Sequence, residues 1–410
     1  MCGDASFAFC DARSAPLLEI KTSVYKDSCQ RPTLYHIMNI ASFKQQALQL
    51  KHRFPKHRRR SFFNKYAVYK DFNDILLESA IQWLALEDIG DLRALLNIRY
   101  EDLQLAVNEP EYHTFYIAKK RKGKRAIQAP GARLKIVQGR INRYLQAYYR
   151  MLCPDAAHGF ILRHYSWPGK GLYSNAYGHV DKEEVLNIDL KDFFNSITIK
   201  QVFELFVGPI FQFPRDLAAL LSLLCTYEKR LPVGAPTSPV ISNLICLGLD
   251  KQLSAFASEH GLHYSRYADD LSFSSDARIP DDLLLDIINI LHGHGFKLNY
   301  SKLRRQYRHQ RQVVTGLTVN ETVNPDRQML KQIRAMIHDY ARSGHLAAYR
   351  HFKAEATVGD AYHDQFIKKL RGLLSFVSSI KGSDDPWVFK YKSQFEAAVQ
   401  QHRHSHDFVE

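Results

Sequence analysis

Two aspartates stand side by side at positions 269 and 270, in SRYADDLSFSS (265–275), and a third, Asp189, lies in EVLNIDLKDFFNSI. Around the pair, apolar and polar residues alternate. Tyr264, Arg266 and Ala268 share one parity and Ser265 and Tyr267 the other; beyond it Leu271 and Phe273 alternate with Ser272 and Ser274. Such alternation predicts strand, and two strands meeting at a short polar pair predict a β-hairpin. Adjacent carboxylates repel, so the tip has no stability reason to carry both. Asp189 sits in a short apolar strand, Val185 to Leu190, where a carboxylate is costly unless paired or metal-bound. Three carboxylates converging from two strands suit hard divalent cations. Mg²⁺ prefers oxygen ligands, keeps waters, and is held by few carboxylates plus substrate phosphates. Two such ions about 3.5–4 Å apart can activate a 3′-hydroxyl and steady a pyrophosphate leaving group. Phosphoryl transfer then becomes mainly positioning and charge stabilisation. Asp189, Asp269 and Asp270 are accordingly expected to hold the ions of a nucleotidyl transferase, Mg²⁺ with Mn²⁺ as a substitute of similar ligand preference.

The whole chain fits a polyanionic partner. Its 410 residues are 45% hydrophobic and 24% charged, an ordinary globular balance, and the formal net charge is +14. Nucleic acid is the commonest partner of such a charge. No apolar run approaches the roughly 18 residues of a membrane span, and the first residues lack the pattern of a signal peptide. Six scattered cysteines form no C-x-x-C pair, which argues against a zinc site or disulfide framework and for a cytoplasmic protein without membrane association.

The elements that must position the aspartates follow from periodicity. Residues 1–70 end in the basic run KHRFPKHRRR (51–60), readable as a solvated segment or a phosphate-contacting arm. Residues 72–107 read as helical. YHTFYIAKKRKGKRAIQAP (112–130) reads as two strands around a basic turn that offers phosphate binding. An amphipathic helix follows, with Leu134, Val137, Ile141 and Leu145 on one face. Residues 198–227 are helical, LPVGAPTSP (231–239) is a loop entering a helix, and IPDDLLLDIINILHGHG is a helix closed by Gly295. FKLNYSKLRRQ is a basic strand or loop, QVVTGLTVN a short strand, and 327–401 helical and basic. The tail HRHSHDFVE offers His402, His404 and His406 to a metal, against the plainer reading of a solvated end.

Taken in order, these motifs resemble the reverse transcriptases of the bacterial retron type, or closely related defence-associated ones, over about Leu92 to Asp384. NIDLKDFF resembles the first catalytic motif, LPVGAPTSP the template- and dNTP-contacting loop, YADD the catalytic hairpin, and FKLNYSKLR the motif with a lysine near the triphosphate. SNAYGH fits an N-A-x-x-H pattern at Asn175, Ala176 and His179, and VVTGLTVN a V-T-G pattern at Val314, Thr315 and Gly316. LRGLLSFVSSIKGSDDP resembles the helical thumb.

The resemblance implies an α+β right-hand polymerase with an N-terminal extension. The extension would span 1–70, fingers with a helical lead-in 71–180, an antiparallel-sheet palm 181–325, and a helical thumb with tail 326–410. Asp189 and Asp269 would be the main metal ligands, with Asp270 supporting. Phe194, five residues past Asp189, matches the bulky gate against a ribose 2′-hydroxyl. Lys119 and Arg125 match fingers residues that hold the triphosphate, Val233 and Gly234 lie in the nucleotide loop, and Lys302 would assist pyrophosphate departure. Valine at 233 departs from the family's usual glutamine and removes a hydrogen-bonding side chain. The family associates the N-A-x-x-H and V-T-G regions with its cognate RNA, which places Asn175, His179 and Thr315 there. Arg304, Arg305, Arg308 and Arg311, with Tyr307, would follow a phosphate backbone. The implied activity is RNA-directed DNA synthesis, copying a partner structured non-coding RNA in anti-phage defence. The implied partners are that RNA, its DNA product, dNTPs and an effector protein encoded nearby. Two alternatives stand beside it. A group II intron-like maturase usually carries a further DNA-binding or Cys-containing segment, whereas the expected thumb is followed here by a short tail without cysteine. A non-catalytic RNA-binding scaffold should show a degraded carboxylate set.

Overall fold

The computed structural model describes residues 40–52, 61–64, 75–118, 123–152, 154–162, 169–353 and 361–404. It begins with helices α1 (Ile40–His52), α2 (Ser61–Asn64), α3 (Ile75–Leu84), α4 (Ile89–Leu96) and α5 (Tyr100–Asn108). The helical stretch expected over 72–107 is thus three helices, and the breaks have local causes. Asp88 caps α4 by accepting from the Asp91 N–H at 2.7 Å, and Asn97 ends it in the left-handed conformation at φ 48°. Lys44 of α1 donates to the carbonyls of Phe211 and Gln212. Lys51 is buried, bonded to Asp91 and, at 2.6 Å, to Glu87. That corrects the reading of Lys51 as part of a phosphate-contacting arm, since two carboxylates answer its charge; residues 53–60 lie outside the described residues.

Strands β1 (Tyr112–Ala118) and β2 (Lys124–Pro130) pair antiparallel, from Tyr112↔Pro130 to Ala118↔Lys124. They lead into α6 (Ala132–Leu152), whose Leu134, Val137, Ile141 and Leu145 are all buried, as their spacing predicts. Trp83 of α3 is fully buried there, stacked on Tyr144 at 6.1 Å and edge-on to Phe211 and Phe213.

Next come α7 (Leu172–Tyr177), β3 (Glu184–Asp189), α8 (Phe193–Ser196), α9 (Ile199–Val207), α10 (Arg215–Cys225), α11 (Ser238–Ile245) and α12 (Leu247–Glu259). They are followed by β4 (His263–Tyr267), β5 (Asp270–Ser275), α13 (Asp281–Gly293), a 3₁₀ turn at Tyr300–Lys302 and β6 (Arg304–Tyr307). The four strands form one antiparallel sheet in the order β4-β5-β3-β6. Because side chains alternate, the registers sort residues onto two faces. Leu186, Ile188, Leu271, Phe273, Tyr264 and Arg266 share one face, where Tyr264 and Arg266 bond to Asp250 of α12. Asn187, Asp189, Asp270, Ser272, Ser274 and Ser265 share the other.

The stretch expected to be one short strand is a hairpin, β7 (Val313–Val314) and β8 (Leu317–Thr318). Its tip, Thr315-Gly316, has positive φ at both residues (47° and 87°), as a type I′ turn requires. It covers the polar face of the sheet through a cluster of Ala176, Val185, Val314, Leu317 and Val319. Helices α14 (Arg327–Lys353), α15 (Ala361–Lys381) and α16 (Pro386–His404) have their own core around Ile333, Tyr340, Phe366, Leu370 and Phe395. Gly344, at φ 70°, interrupts α14. The His-rich end, expected to be solvated, is helical through His404, and His402 Nε2 lies 3.3 Å from the Ala341 carbonyl; His406 lies outside the described residues. Cys225 and Cys246 are free and buried. No helix among the described residues is long and apolar enough to cross a membrane.

Candidate active site

The strand registers bring the three aspartates to one end of the sheet. Asp189 closes β3 opposite Asp270, which opens β5. Asp269 occupies the two-residue turn Ala268-Asp269 between the paired Tyr267 and Asp270. Ala268 has φ 60°, a conformation that favours glycine, so the tip is a strained two-residue turn. The turn is tied to β3 where the Leu190 N–H donates to the Asp269 carbonyl at 3.0 Å.

Electrostatically the site is a knot of like charges. Burial raises the Asp269 carboxyl above the ordinary carboxylate range; Asp189 adds to this, while Lys302 and Arg125 oppose it. Burial also pushes Asp270 up to about 6, helped by the charges of Asp269 and Asp189 and opposed by Lys302 and Arg304. Asp189 is 6% exposed. Its Oδ2 accepts from Lys302 Nζ at 2.7 Å and its Oδ1 from Asn299 Nδ2 at 3.0 Å. Asn299 was missed in the sequence, where an isolated polar residue in a basic stretch carries no periodic signal.

This donor set fits hard divalent cations. All three side chains offer oxygens, their mutual repulsion is what a cation relieves, and an ammonium already sits against Asp189. Among the described residues no three His, Cys, Asp or Glu side chains are grouped so as to hold a metal ion by themselves. An open carboxylate set suits an ion that completes its shell with waters and substrate phosphates.

The other expected residues divide by face. Phe194 is half-buried in α8, against Phe160 at 6.0 Å and Phe193 at 5.3 Å. Val233 offers no side-chain hydrogen bond, but its carbonyl accepts from the Gln128 N–H of β2 at 2.7 Å. Gly234, at φ 127°, leaves no room for a Cβ, which would fall 2.8 Å from Ile127 Cγ2 and 3.0 Å from the Gln128 carbonyl. The Val233-Gly234 loop is therefore docked on the β1–β2 hairpin, whose exposed Arg125 makes its charge felt at Asp269. Lys119 lies outside the described residues.

The RNA-facing expectations need correction. Asn175 and His179 are wholly buried. His179 Nε2 and Nδ1 lie 2.8 Å from Ser265 Oγ and 2.7 Å from Ser274 Oγ, and Ser265 donates to Asn175 Oδ1 at 2.9 Å. Since the Ser265 hydroxyl gives its hydrogen to Asn175, it accepts from His179 Nε2–H, and Nδ1 is left to accept from Ser274. The pair seats the Asp269–Asp270 hairpin from inside, and neither side chain reaches the surface. Arg305 points to the helix-backed face and binds Glu184 at 2.9 Å, Asp281 at 2.7 Å and the Ile279 carbonyl. Arg304, on the other parity, is exposed. Arg308 is exposed and pairs with Asp181 at 2.6 Å, and Arg311 reaches Asp326 at 3.4 Å. Thr315 is half-buried at the β7–β8 tip.

Comparison with known proteins agrees with this geometry. A family model described as reverse transcriptase (RNA-dependent DNA polymerase) matches residues 117–319. The chain is 36% identical over 262 residues to the Retron Mx65 reverse transcriptase of Myxococcus xanthus, spanning 58% of this chain and 58% of that one. It is 30% identical over 317 residues to the Retron Ec86 reverse transcriptase of Escherichia coli, spanning 76% of this chain and 90% of that one. Three carboxylates at one end of an antiparallel sheet, a loop docked on the β1–β2 hairpin and a relative matched over 90% of its length agree: the chain belongs to the retron reverse transcriptases.

Proposed function

We propose that this protein is an RNA-directed DNA polymerase that copies a partner structured non-coding RNA into DNA, in anti-phage defence with an effector protein encoded nearby. The observation that carries the activity is the convergence of Asp189, Asp269 and Asp270 at one sheet end, within electrostatic reach of Arg125. In this reading 71–180 act as fingers, 181–325 as palm and 326–410 as thumb. Asp189, Asp269 and Asp270 would hold two Mg²⁺ ions, with Mn²⁺ able to replace them. When bound, such ions lower the pKa of the primer 3′-hydroxyl and offset charge on the leaving pyrophosphate.

The chain's own groups do the rest. Asn299 and Lys302 fix the Asp189 carboxylate. Lys302, half-exposed beside it, can hold a proton near the leaving group. Phe194 limits space beside the sugar, and the Val233-Gly234 backbone aligns the nucleotide loop. Arg304, Arg308 and Thr315 remain as RNA contacts. The test is DNA synthesis by purified protein on a primed RNA template with dNTPs, with and without Mg²⁺. Asp269→Asn should abolish synthesis while folding and RNA binding persist. Full synthesis by the Asp189→Asn, Asp269→Asn double variant would overturn the two-ion assignment.

A further inference from the structure

Arg266, three residues before Asp269, is wholly buried, and its guanidinium is fully engaged. Nε and Nη2 clasp Asp250 Oδ1 at 2.8 Å and Oδ2 at 2.6 Å. Nη1 donates to Asn243 Oδ1 at 3.0 Å and to the Ala268 carbonyl at 3.1 Å. Asn243 in turn donates to the Gly159 carbonyl at 2.9 Å. A Cβ on Gly159 would lie 2.8 Å from the Ala268 nitrogen, so that backbone seals the opposite side of the same residue. The Arg266 main chain is bonded on both sides to this rail, its N–H to the Ala156 carbonyl and its carbonyl to the His158 N–H, each at 2.8 Å.

A buried ion pair is weak evidence for stability, because apolar residues of the same volume often serve as well. What an apolar pair cannot do is hold a carbonyl. The carbonyl that Arg266 holds belongs to the Ala268–Asp269 peptide, and Ala268 sits in backbone space that strains an L-residue. Rotation of that peptide changes ψ of Ala268 and φ of Asp269, and so would swing Asp269 away from Asp189. We propose that Arg266, itself fixed by Asp250 and Asn243, is a positioning residue for Asp269: it pins the strained turn in the one orientation that aims the carboxylate at the site. The inference rests on the reading of Asp269 as a site carboxylate.

The test removes both buried charges together, in Asp250→Leu/Arg266→Met, so that no lone charge is left inside. Arg266→Lys is the second variant; it keeps an ion-pair partner for Asp250 but loses the planar fork. Expected is a thermal melt close to wild type, an unchanged KM for dNTP, and kcat down by about 10- to 100-fold, the worth of a hydrogen bond to a charged group. Mn²⁺ affinity of the free protein, read by electron paramagnetic resonance, should fall with kcat. A folded double variant with wild-type kcat and Mn²⁺ affinity overturns the inference. If the double variant does not fold, Arg266→Lys is read by the same criteria. Absence of RNA-templated synthesis by the wild type would instead sink the functional reading, leaving the Mn²⁺ measurement to judge the positioning role.

Discussion

Acidification should unlatch the Asp269–Asp270 hairpin through the histidines behind it. His179 is buried between Ser265 and Ser274, and His158 lies 2.8 Å from Ser174 Oγ. Burial holds both imidazoles neutral: His158 falls to about 3, helped by Lys170 and His263, and His179 falls well below its usual value, helped by His263, His158 and Lys182. Between the unfolded value of about 6.5 and the folded one, the unfolded chain binds more protons, so stability falls as pH falls. Each unit costs about 1.4 kcal/mol per histidine held neutral. For His158 alone that is about 2 kcal/mol at pH 5, and His179 acts in the same direction. Total domain stability is commonly about 5–15 kcal/mol, so the loss is large. Asp270, raised to about 6, opposes it over part of this window. Comparing wild type with His158→Gln and His179→Gln cancels that contribution. Urea unfolding at pH 8, 6 and 5 should show each variant losing less stability on acidification than wild type. Equal pH dependence in all three proteins would refute the reasoning.

Three further outcomes follow from the geometry. Gly234→Ala meets Ile127 and the Gln128 carbonyl in a positive-φ position; strain of about 1–3 kcal/mol should undock the loop and raise KM for dNTP, checked by steady-state incorporation. Phe194→Ala should lower the ratio of specificity constants for dNTP over rNTP, and an unchanged ratio would make Phe194 a core residue only. Arg304→Ala should reduce the magnitude of the log affinity–log salt slope for RNA by about 0.7–0.9. Arg305→Ala should leave that slope alone and cost about 3–5 kcal/mol of stability by stranding buried Glu184.

The catalytic hairpin was legible because period-2 alternation states both the strand and its faces, and the like-charged tip has no structural excuse. The core stripe of α6 was legible for the same kind of reason. What misled was treating motif residues and arginines as surface. Asn175 and His179 are polar, yet the serines that satisfy them come from strands about 90 residues away, a pairing no local pattern announces. Arg305 differs from Arg304 only in parity, and Glu184, which claims it, is 121 residues distant in sequence. Lys51 likewise ended a helix whose acidic partners lay beyond the next two helices.

Sorting by face gives the sheet its electrostatic character. On the helix-backed side buried Arg266 pairs with Asp250 and half-buried Arg305 with buried Glu184, and each pair is nearly self-compensating. On the other side three carboxylates crowd one end; Lys302 is the ammonium bonded there, and Arg125 and Arg304 act from farther off. A chain with a net charge of +14 has no shortage of cations to place beside those carboxylates. Yet Arg266 and Arg305 lie behind the sheet, leaving in front Asp269 and Asp270, whose proton affinity is raised by burial and by neighbouring carboxylates. Uncompensated like charge in a partly closed site is costly to folding and useful to chemistry. Cations arriving with a phosphate-bearing substrate would relieve it, so the same imbalance favours positively charged ligands at this end of the sheet.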